Sequence, residues 1–338
     1  MNLNNTSVVI LNFNGLKLMQ KYLPMVMENT IGAEIVVADN GSTDGSVEWL
    51  RQEYPNLRLI AFDKNYGFAE GYNQALKLID NEYYVLLNSD VRTPMGWLYP
   101  LVNYMAQHPE CAACQPKIRS EYEPEKFEYA GAAGGFIDSY GYPFCRGRVM
   151  NNIETDNGQY DSIQEIFWAT GACLVIRSKA YWEAGGLDGR FFAHQEEIDL
   201  CWRLKARGAS IVCVPQSEVY HVGGGSLGYE SPFKTRLNFR NNAILLYKNL
   251  SADRYWWTYL FRLALDWVAA LQMLAQGKPR NAWAVIEAQI EFIKLFKQFK
   301  PDRTKNLDLT TEKNPIGLLN FWLIWQVYIN KKKKYSDF

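Results

Sequence analysis

The sequence has 338 residues, of which 48% are hydrophobic and 14% aromatic, which gives ample apolar surface for one large domain or a domain with an appendage. Its 36 basic and 36 acidic residues balance, so no net charge attracts nucleic acid and we expect no nucleic-acid partner. The first residues, MNLNNTS, lack the basic and apolar regions of a signal peptide, which predicts a cytoplasmic protein.

The first third of the chain alternates strand-like and helix-like segments. Four short β-branched or apolar runs predict strands at 7–12, 34–39, 57–62 and 83–88. Amphipathic stretches between them predict helices at 16–28, 43–53 and 68–80. This alternation indicates β-α-β units, and therefore an α/β fold with a parallel sheet. No G-x-G-x-x-G follows the first strand and no P-loop motif occurs, which disfavours nicotinamide-binding and P-loop folds.

The middle of the chain is less regular. A Gly- and Tyr-rich stretch at 128–144 is followed by an apolar strand-like run at 167–177. A helix is predicted over 194–208, since Gly208 is a typical helix C-cap. A strand at 210–215 and a Gly-rich loop at 221–232 follow.

The six cysteines lie mostly in apolar runs, which favours buried thiols in a reducing compartment. They are Cys111, Cys114, Cys145, Cys173, Cys201 and Cys213. Cys111 and Cys114 form a C-x-x-C pair, but no second pair or nearby histidine completes a zinc set. A redox or metal role for this pair is therefore disfavoured.

From about residue 251 the chain is rich in aromatic and aliphatic residues. Segments 254–276 and 282–299 carry only a narrow stripe of polar residues at four-residue spacing, so such helices require an apolar neighbour on most faces. That neighbour is another part of the protein or a membrane. Segment 314–330 is uncharged and runs into Lys331–Lys334. Its length is short for a spanning helix, which leaves an interfacial segment on anionic lipid or a core helix with a solvated tail.

Polar residues stand at the carboxyl ends of the first four predicted strands. Asn88-Ser89-Asp90 ends the fourth strand and Asp39 ends the second. Helix caps and turns are the structural alternative for such residues, but Ser42 or Asp44 as cap leaves Asp39 without a structural role. Since ligands bind at the carboxyl ends of parallel strands, these groups predict one shared crevice.

Two further clusters carry groups suited to chemistry. Glu196, Glu197 and Asp199 lie in one predicted first helical turn, where acidic residues are also common because of the helix dipole. At helical spacing Glu196 and Asp199 share a face, and Glu197 points elsewhere. His221 precedes three glycines, which makes it a candidate metal ligand, although single histidines are often structural.

These segments together resemble the inverting family 2 glycosyltransferases of the GT-A fold, in the rhamnosyltransferase-like subgroup. The matching segments follow the family's order from residue 7 to about residue 249: VVILNFNG, VVADNGSTDGS, NYGFAEGYNQAL, YVLLNSDV, ATGACLVIRS, EEIDLCWRLKARG, VYHVGGGS and RNNAILLYKN. The tail LIWQVYINKKKKYSDF is similar to that of some membrane-associated members. The resemblance implies a GT-A catalytic domain over 1–250 and a C-terminal helical, membrane-associating region over 251–338.

The resemblance also implies roles for individual residues. Asp39 would bind the pyrimidine of a nucleotide-sugar. Other donor-binding residues would be Asn12, Phe13, Asn14, Asp63, Lys64, Asn65 and, near the ribose, Asn88. Asp90, in place of the last residue of the family's D-x-D, and His221 would ligate Mn²⁺ or Mg²⁺. Glu197 would be the general base, with Glu196 as the alternative and Asp199 as a third choice, since Glu-Glu stands here for the family's Glu-Asp.

The resemblance implies a dTDP-rhamnose or UDP-hexose donor and a glycan hydroxyl as acceptor, carried on a lipid at the cytoplasmic membrane face. Two other classes of protein share parts of this pattern. A sugar-1-phosphate nucleotidylyltransferase has a related fold but would show a Gly-rich loop where this chain has NFNGLK. A catalytically degenerate binding or membrane assembly subunit would keep the fold and bind the donor without transferring sugar.

Overall fold

The computed structural model describes residues 3–223 and 231–338, which form an α/β fold on one large, mostly parallel sheet with a smaller sheet beside it. The strands are β1 (Thr6–Asn12), β2 (Glu34–Asp39), β3 (Arg58–Ala61), β4 (Tyr83–Asn88), β5 (Val91–Arg92), β6 (Cys111–Ser120), β7 (Gly135–Asp138), β8 (Pro143–Cys145), β9 (Arg148–Val149), β10 (Asn152–Ile153), β11 (Gln164–Glu165), β12 (Cys173–Arg177), β13 (Ser210–His221) and β14 (Leu318–Leu319).

Helices flank the large sheet and form the C-terminal part of the chain. They are α1 (Leu16–Asn29), α2 (Ser46–Glu53), α3 (Gly67–Leu76), α4 (Leu98–Gln107), α5 (Ser178–Ala184), α6 (Glu196–Ala206), α7 (Pro232–Asn249), α8 (Ala252–Ala275), α9 (Pro279–Leu295), α10 (Lys300–Asp308) and α11 (Leu323–Tyr328). None of the described helices combines the length and the hydropathy needed to cross a membrane.

The large sheet has the strand order β11-β13-β6-β12-β4-β1-β2-β3, with β5 paired to β13. β1, β2, β3 and β4 are parallel, which confirms the predicted parallel sheet, and the bounds of β2 and β4 match the predicted runs. In the register, Asn12 pairs with Asp39 and Leu11 with Asn88. The carboxyl ends of these strands therefore lie together at one edge.

The central strands are apolar because both faces of the sheet are covered. In β1, Val9 belongs to one buried hydrophobic cluster, whereas Val8 and Ile10 belong to a second. In β4, Leu86 and Leu87 divide between the same two clusters. Alternate side chains of a strand point to opposite faces, so an uninterrupted apolar run is what such a strand requires.

The middle of the chain departs from the sequence predictions in two places. The run at 167–177 forms a strand only over β12, since Thr170 turns the backbone and donates its N–H to Gln115 Oε1 at 3.0 Å. The strand predicted at 210–215 continues to His221 through a register shift between Val214 and Glu218. Of the predicted Gly-rich loop at 221–232, residues 224–230 lie outside the described residues.

The segment 314–330 is not one helix, so the prediction of a core helix there is wrong, whereas the interfacial segment stays a prediction. Leu318 and Leu319 pair with β7, and α11 follows as a short helix. Leu323 belongs to the same buried cluster as Phe292 and Phe299 of the preceding helices. The C-terminal elements thus share a core with the sheet, and the division into 1–250 and 251–338 stays a prediction.

Candidate active site

The ends of β1 and β2 form a hydrogen-bonded cluster. Asn12 Nδ2 donates to Asp39 Oδ2 at 2.8 Å, and the Ser42 N–H donates to Asp39 Oδ1 at 2.8 Å. Asp39 is fully buried, so it has the structural role that sequence reasoning denied it, and contact with a ligand requires a local movement. Asn14 is held by Ser42 and Thr43. Phe13 is 46% exposed and presents an aromatic ring at this edge.

The end of β3 lies against the same cluster. Gly41 has φ +77°, and a Cβ there would lie 2.6 Å from the Lys64 carbonyl carbon, so only glycine allows this close approach. Asn65 Oδ1 accepts from Asn40 Nδ2 at 3.0 Å and from the Gly67 N–H at 2.7 Å, which makes Asn65 a structural link. Lys64 and the neighbouring Asp63 are exposed, and their assigned contact with nucleotide or phosphate stays a prediction.

The end of β4 brings a carboxylate and an imidazole together. β13 runs antiparallel to β5, with His221 paired to Val91, and His221 Nε2 therefore lies 3.1 Å from Asp90 Oδ1. Asn88 Nδ2 is 3.4 Å from the same imidazole nitrogen. Asp90 and His221 are both buried. The two residues assigned as metal ligands are thus in direct contact, although far apart in sequence.

Glu128 completes this group and was missed by sequence reasoning. It is buried, and its Oε2 lies 3.4 Å from His221 Nδ1, the nitrogen that faces away from Asp90. Burial by itself lowers the pKa of His221, but the neighbouring carboxylates of Asp90 and Glu128 outweigh burial and raise that pKa to about 10. A carboxylate behind a histidine is the usual way to orient a metal-binding imidazole. The Gly/Tyr-rich setting of Glu128 gave no signal of this role.

The distance between Asp90 and His221 is compatible with one divalent cation bound by both side chains. Two neighbouring ligands of an octahedral ion bound at 2.0–2.1 Å lie about 3 Å apart, and the Asp90–His221 distance is 3.1 Å. No group of three or more His, Cys, Asp or Glu side chains placed to hold a metal occurs in residues 3–223 and 231–338. If a cation binds here, Asp90 and His221 would supply two ligands, and other oxygens would have to complete the coordination.

The acidic start of α6 separates into two environments. Among the described residues, Glu196 Oε2 and Glu197 Oε2 are buried without a hydrogen-bond partner. Burial raises the pKa of Glu197 to about 7, and burial together with the charge of Glu197 raises that of Glu196 well above its usual value. A carboxylate with such a pKa is suited to proton transfer near neutral pH.

Asp199 is in a different situation. Its carboxylate accepts from Arg203, from Lys248 Nζ at 2.7 Å and from Asn249 Nδ2 at 2.9 Å. Burial tends to raise the pKa of Asp199, but the charges of Lys248 and Arg203 hold it below its usual value. Asp199 therefore links α6 to α7, and Glu196 and Glu197 are better placed to take up a proton.

The loop before α6 is strained and is held by α7. Phe192, His194 and Gln195 have φ of 66°, 71° and 69°, which L-residues rarely adopt. Asn241 Nδ2 donates to the carbonyl oxygens of Phe191, Ala193 and His194 at 3.1, 2.8 and 2.7 Å. The segment RNNAILLYKN thus fixes the start of α6, a role that its sequence did not indicate.

Comparison with known protein families identifies the family of this chain. The family model Glycosyl transferase family 2 matches residues 7–185, more than half of the chain. The chain belongs to glycosyl transferase family 2. The matched range contains the strand ends of β1 to β4, and it stops before α6 and His221.

A curated relative and two solved structures are also similar to this chain. The N-acetylglucosaminyl-diphospho-decaprenol L-rhamnosyltransferase of Mycobacterium tuberculosis is 28% identical over 258 residues, which is 70% of this chain and 81% of the relative. The mannosyltransferase PcManGT of Pyrobaculum calidifontis, solved with GDP-Man and Mn²⁺, has a TM-score of 0.53 at 16% identity and covers 90% of this chain and 85% of its own. S. aureus TarS with UDP-GlcNAc has a TM-score of 0.54 at 15% identity, with 91% and 89% covered. The fold is therefore that of GT-A glycosyltransferases.

In this family 2 glycosyltransferase the predicted site residues form three local groups. The structure joins Asn12, Asn14 and Asp39 in one network, and Asn88, Asp90 and His221 in another. Glu196 and Glu197 form the third group at the start of α6. The register of β1, β2 and β4 places the first two groups at one sheet edge. Their individual roles stay predictions.

Proposed function

We propose that this family 2 glycosyltransferase is an inverting, metal-dependent enzyme that moves a hexosyl or rhamnosyl group from a dTDP- or UDP-sugar to a hydroxyl of a glycan acceptor. The observation that carries the proposal is the Asp90–His221 pair, 3.1 Å apart at the carboxyl end of β4. A carboxylate oxygen and an imidazole nitrogen at this separation match two neighbouring ligands of a cation bound to a diphosphate.

The donor would bind along the strand ends. Phe13, which is exposed, would stack on the base, and Asn12, Asn14 and Asp39 would line the base pocket. Exposed Asp63 and Lys64 would face the nucleotide or its phosphates, while Asn65 supports their loop. Asn88 would approach the ribose. Solved relatives of this fold are described with UDP-GlcNAc or with GDP-Man and Mn²⁺, which supports a nucleotide-sugar as ligand.

Asp90 and His221 would hold Mn²⁺ or Mg²⁺ against the diphosphate of the donor. When bound, the cation stabilises the negative charge that develops on the leaving diphosphate. Asp90 supplies a hard oxygen ligand, and Glu128 keeps the His221 ring turned so that Nε2 faces the ion. Since Asp90 already contacts Nε2, the cation would take the place of the proton that the imidazole holds without it.

The acceptor hydroxyl would lose its proton to Glu197, or to Glu196, as it attacks the anomeric carbon on the face opposite the leaving group. A single displacement of this kind inverts that carbon, and the protein needs no nucleophile. Burial of the two carboxylates favours this role because it raises their pKa values toward that of an efficient base near neutral pH. The Asn241-bound loop would hold both groups in place.

The name of the mycobacterial relative specifies an N-acetylglucosaminyl-diphospho-decaprenol acceptor, which supports an acceptor of the same kind for this chain. We propose a lipid-linked glycan acceptor here too, which would bring this enzyme to the cytoplasmic face of a membrane as a peripheral protein. A rhamnosyl donor is favoured for the same reason.

The test is a binding and turnover panel. Purified protein is mixed with dTDP-rhamnose and UDP-hexoses, with and without Mn²⁺, and thermal stability and donor hydrolysis are measured for wild type and Asp90→Ala. We expect metal-dependent stabilisation by one donor class that is lost in the variant. Binding of no nucleotide-sugar would overturn the proposal. Binding without hydrolysis or transfer to any polyprenyl-diphosphate acceptor would instead identify a degenerate, donor-binding protein.

A further inference from the structure

Helix α8 is oriented with its polar stripe toward the protein. Thr258, Arg262 and Asp266 are buried. Arg262 Nη1 donates to the Tyr140 carbonyl at 2.9 Å, and Asp266 Oδ2 accepts from Gln289 Nε2 at 2.6 Å. The two charged side chains in the middle of the helix are thus bound to the turn between β7 and β8 and to α9. A helix on the surface of a globular protein normally has the reverse orientation.

The outward face of α8 is consequently apolar. The large exposed side chains on this face include Trp256, Trp257, Leu260, Trp267, Leu271 and Leu274, with Trp257 79% and Leu271 64% exposed. Between residues 254 and 278 the sequence has no charged residue other than the inward pair. At a rise of 1.5 Å per residue, this face is about 30 Å long. A contiguous apolar face of this size marks an interaction surface.

The same surface continues to the C-terminal segment. Phe261 of α8 contacts Trp322 with ring centroids 4.9 Å apart, and Trp322 stacks on Trp325 at 5.6 Å. Trp325 and Tyr328 are exposed. Lys331–Lys334 follow within a few residues, and Asp337 is the one acidic residue among the last eight. Four positive charges therefore follow the exposed aromatic residues of α11 directly in the chain.

We propose that the outward face of α8, together with α11 and Lys331–Lys334, is the surface by which this enzyme docks on an anionic lipid bilayer. Tryptophans suit the boundary between headgroups and acyl chains, and lysines attract anionic headgroups. The helix lies along the bilayer because its other face is bound to the protein through Arg262 and Asp266. A second copy is the alternative occupant, but the run of four lysines next to α11 favours an anionic surface over it.

The docking surface would explain how the enzyme reaches an acceptor carried on a membrane lipid. Its biological purpose rests on the proposed function, but its existence does not. Docking along α8 would hold the enzyme on the surface that carries a lipid-linked acceptor. The two ideas are tested separately, because vesicle binding needs no sugar donor and donor binding needs no vesicle.

The experiment is flotation of the full chain with vesicles of phosphatidylcholine, alone or mixed with phosphatidylglycerol. We expect binding to the mixed vesicles that weakens at high salt. Trp257→Ser and Leu271→Ser each remove one large apolar contact and should weaken binding roughly tenfold. Ile31→Ser is the matched control, since Ile31 is 81% exposed elsewhere on the protein and should bind as wild type does. Lys333→Ala with Lys334→Ala should reduce the preference for phosphatidylglycerol.

Three results would overturn the inference. They are failure of the wild-type protein to float, equal binding by Trp257→Ser, or a dimer that Trp257→Ser dissociates, which would identify a second copy as the occupant. Thermal stability and nucleotide-sugar binding in solution are measured on every variant and should not change, since the substituted side chains are exposed. If the wild-type protein binds vesicles but binds no nucleotide-sugar, the proposed function is overturned and the docking surface is not.

Discussion

Asn241→Ala should weaken both the fold and the catalytic step, because its amide group binds three carbonyl oxygens of the strained loop before α6. The two N–H hydrogens of Asn241 serve three carbonyl oxygens at 2.7–3.1 Å. Losing two bonds at about 1 kcal/mol each, and leaving buried carbonyls unsatisfied, should lower the free energy of unfolding by ~2–4 kcal/mol. Residues with positive φ keep that conformation only when their surroundings impose it.

The effect on activity follows from the position of Glu196 and Glu197, directly after this loop. A displacement of about 1 Å at a reacting group costs on the order of 10²-fold in rate, so kcat should fall by roughly 10–100-fold with a smaller change in KM. Asn241→Asp, of equal size, would direct a carboxylate at carbonyl oxygens and should be at least as damaging at neutral pH.

Urea unfolding followed by circular dichroism gives the stability change, and initial rates with saturating donor give kcat. Asn238→Ala on the same helix is the matched control, since Asn238 contacts Gln195 through its backbone carbonyl, which the substitution keeps. Asn241→Ala with an unfolding free energy within about 0.5 kcal/mol of wild type and an unchanged kcat would refute the reasoning.

Three further predictions concern single side chains. The rate of transfer by the wild-type enzyme should rise as pH increases through about 7, because the base acts in its deprotonated form and burial raises the pKa of Glu197 to about 7. Glu197→Gln should lower kcat by about 10²–10⁴-fold. A flat pH–rate profile of the wild-type enzyme would contradict the role of Glu197. Glu128→Gln should weaken Mn²⁺ binding about 10–100-fold by calorimetry, since the His221 ring loses its carboxylate partner, and equal affinity would remove that role. Gly67→Ala should lower the free energy of unfolding by at least 1–3 kcal/mol, because φ is +78° and the new Cβ would lie 2.6 Å from the Phe192 ring. Gly96→Ala is the control, since Gly96 has φ +74° but open space around it. The difference between the two variants in the same urea titration measures the effect of the contact with the ring.

Much of the sheet could be predicted from local pattern. The apolar runs of β2 and β4 gave their bounds, since a strand covered on both faces must be apolar throughout and ends where polar groups begin. The polar strand ends then followed from parallel pairing, which brings Asn12, Asp39 and Asn88 to one edge. Family membership rested on such ordered motifs.

Other features depended on partners that are distant in sequence. The interpretation of Asp39 was wrong in one respect, since its carboxylate bonds Ser42 and Asn12 and is fully buried. Asp199 shares a first turn with Glu196 and Glu197, but only the packing of α7 reveals that Lys248 neutralises it. No sequence spacing connects His221 to Glu128, because β13 reaches this edge through a shift in register.

The sequence by itself determined that α8 is a helix with a narrow polar stripe, because spacing along a helix fixes which side chains share a face. It did not determine which way that stripe points. The tertiary structure decided this, since Tyr140 and Gln289 satisfy Arg262 and Asp266 inside the protein. An ion or polar group is buried only where such partners exist, and the tryptophans and leucines of the other faces are left at the surface as a result.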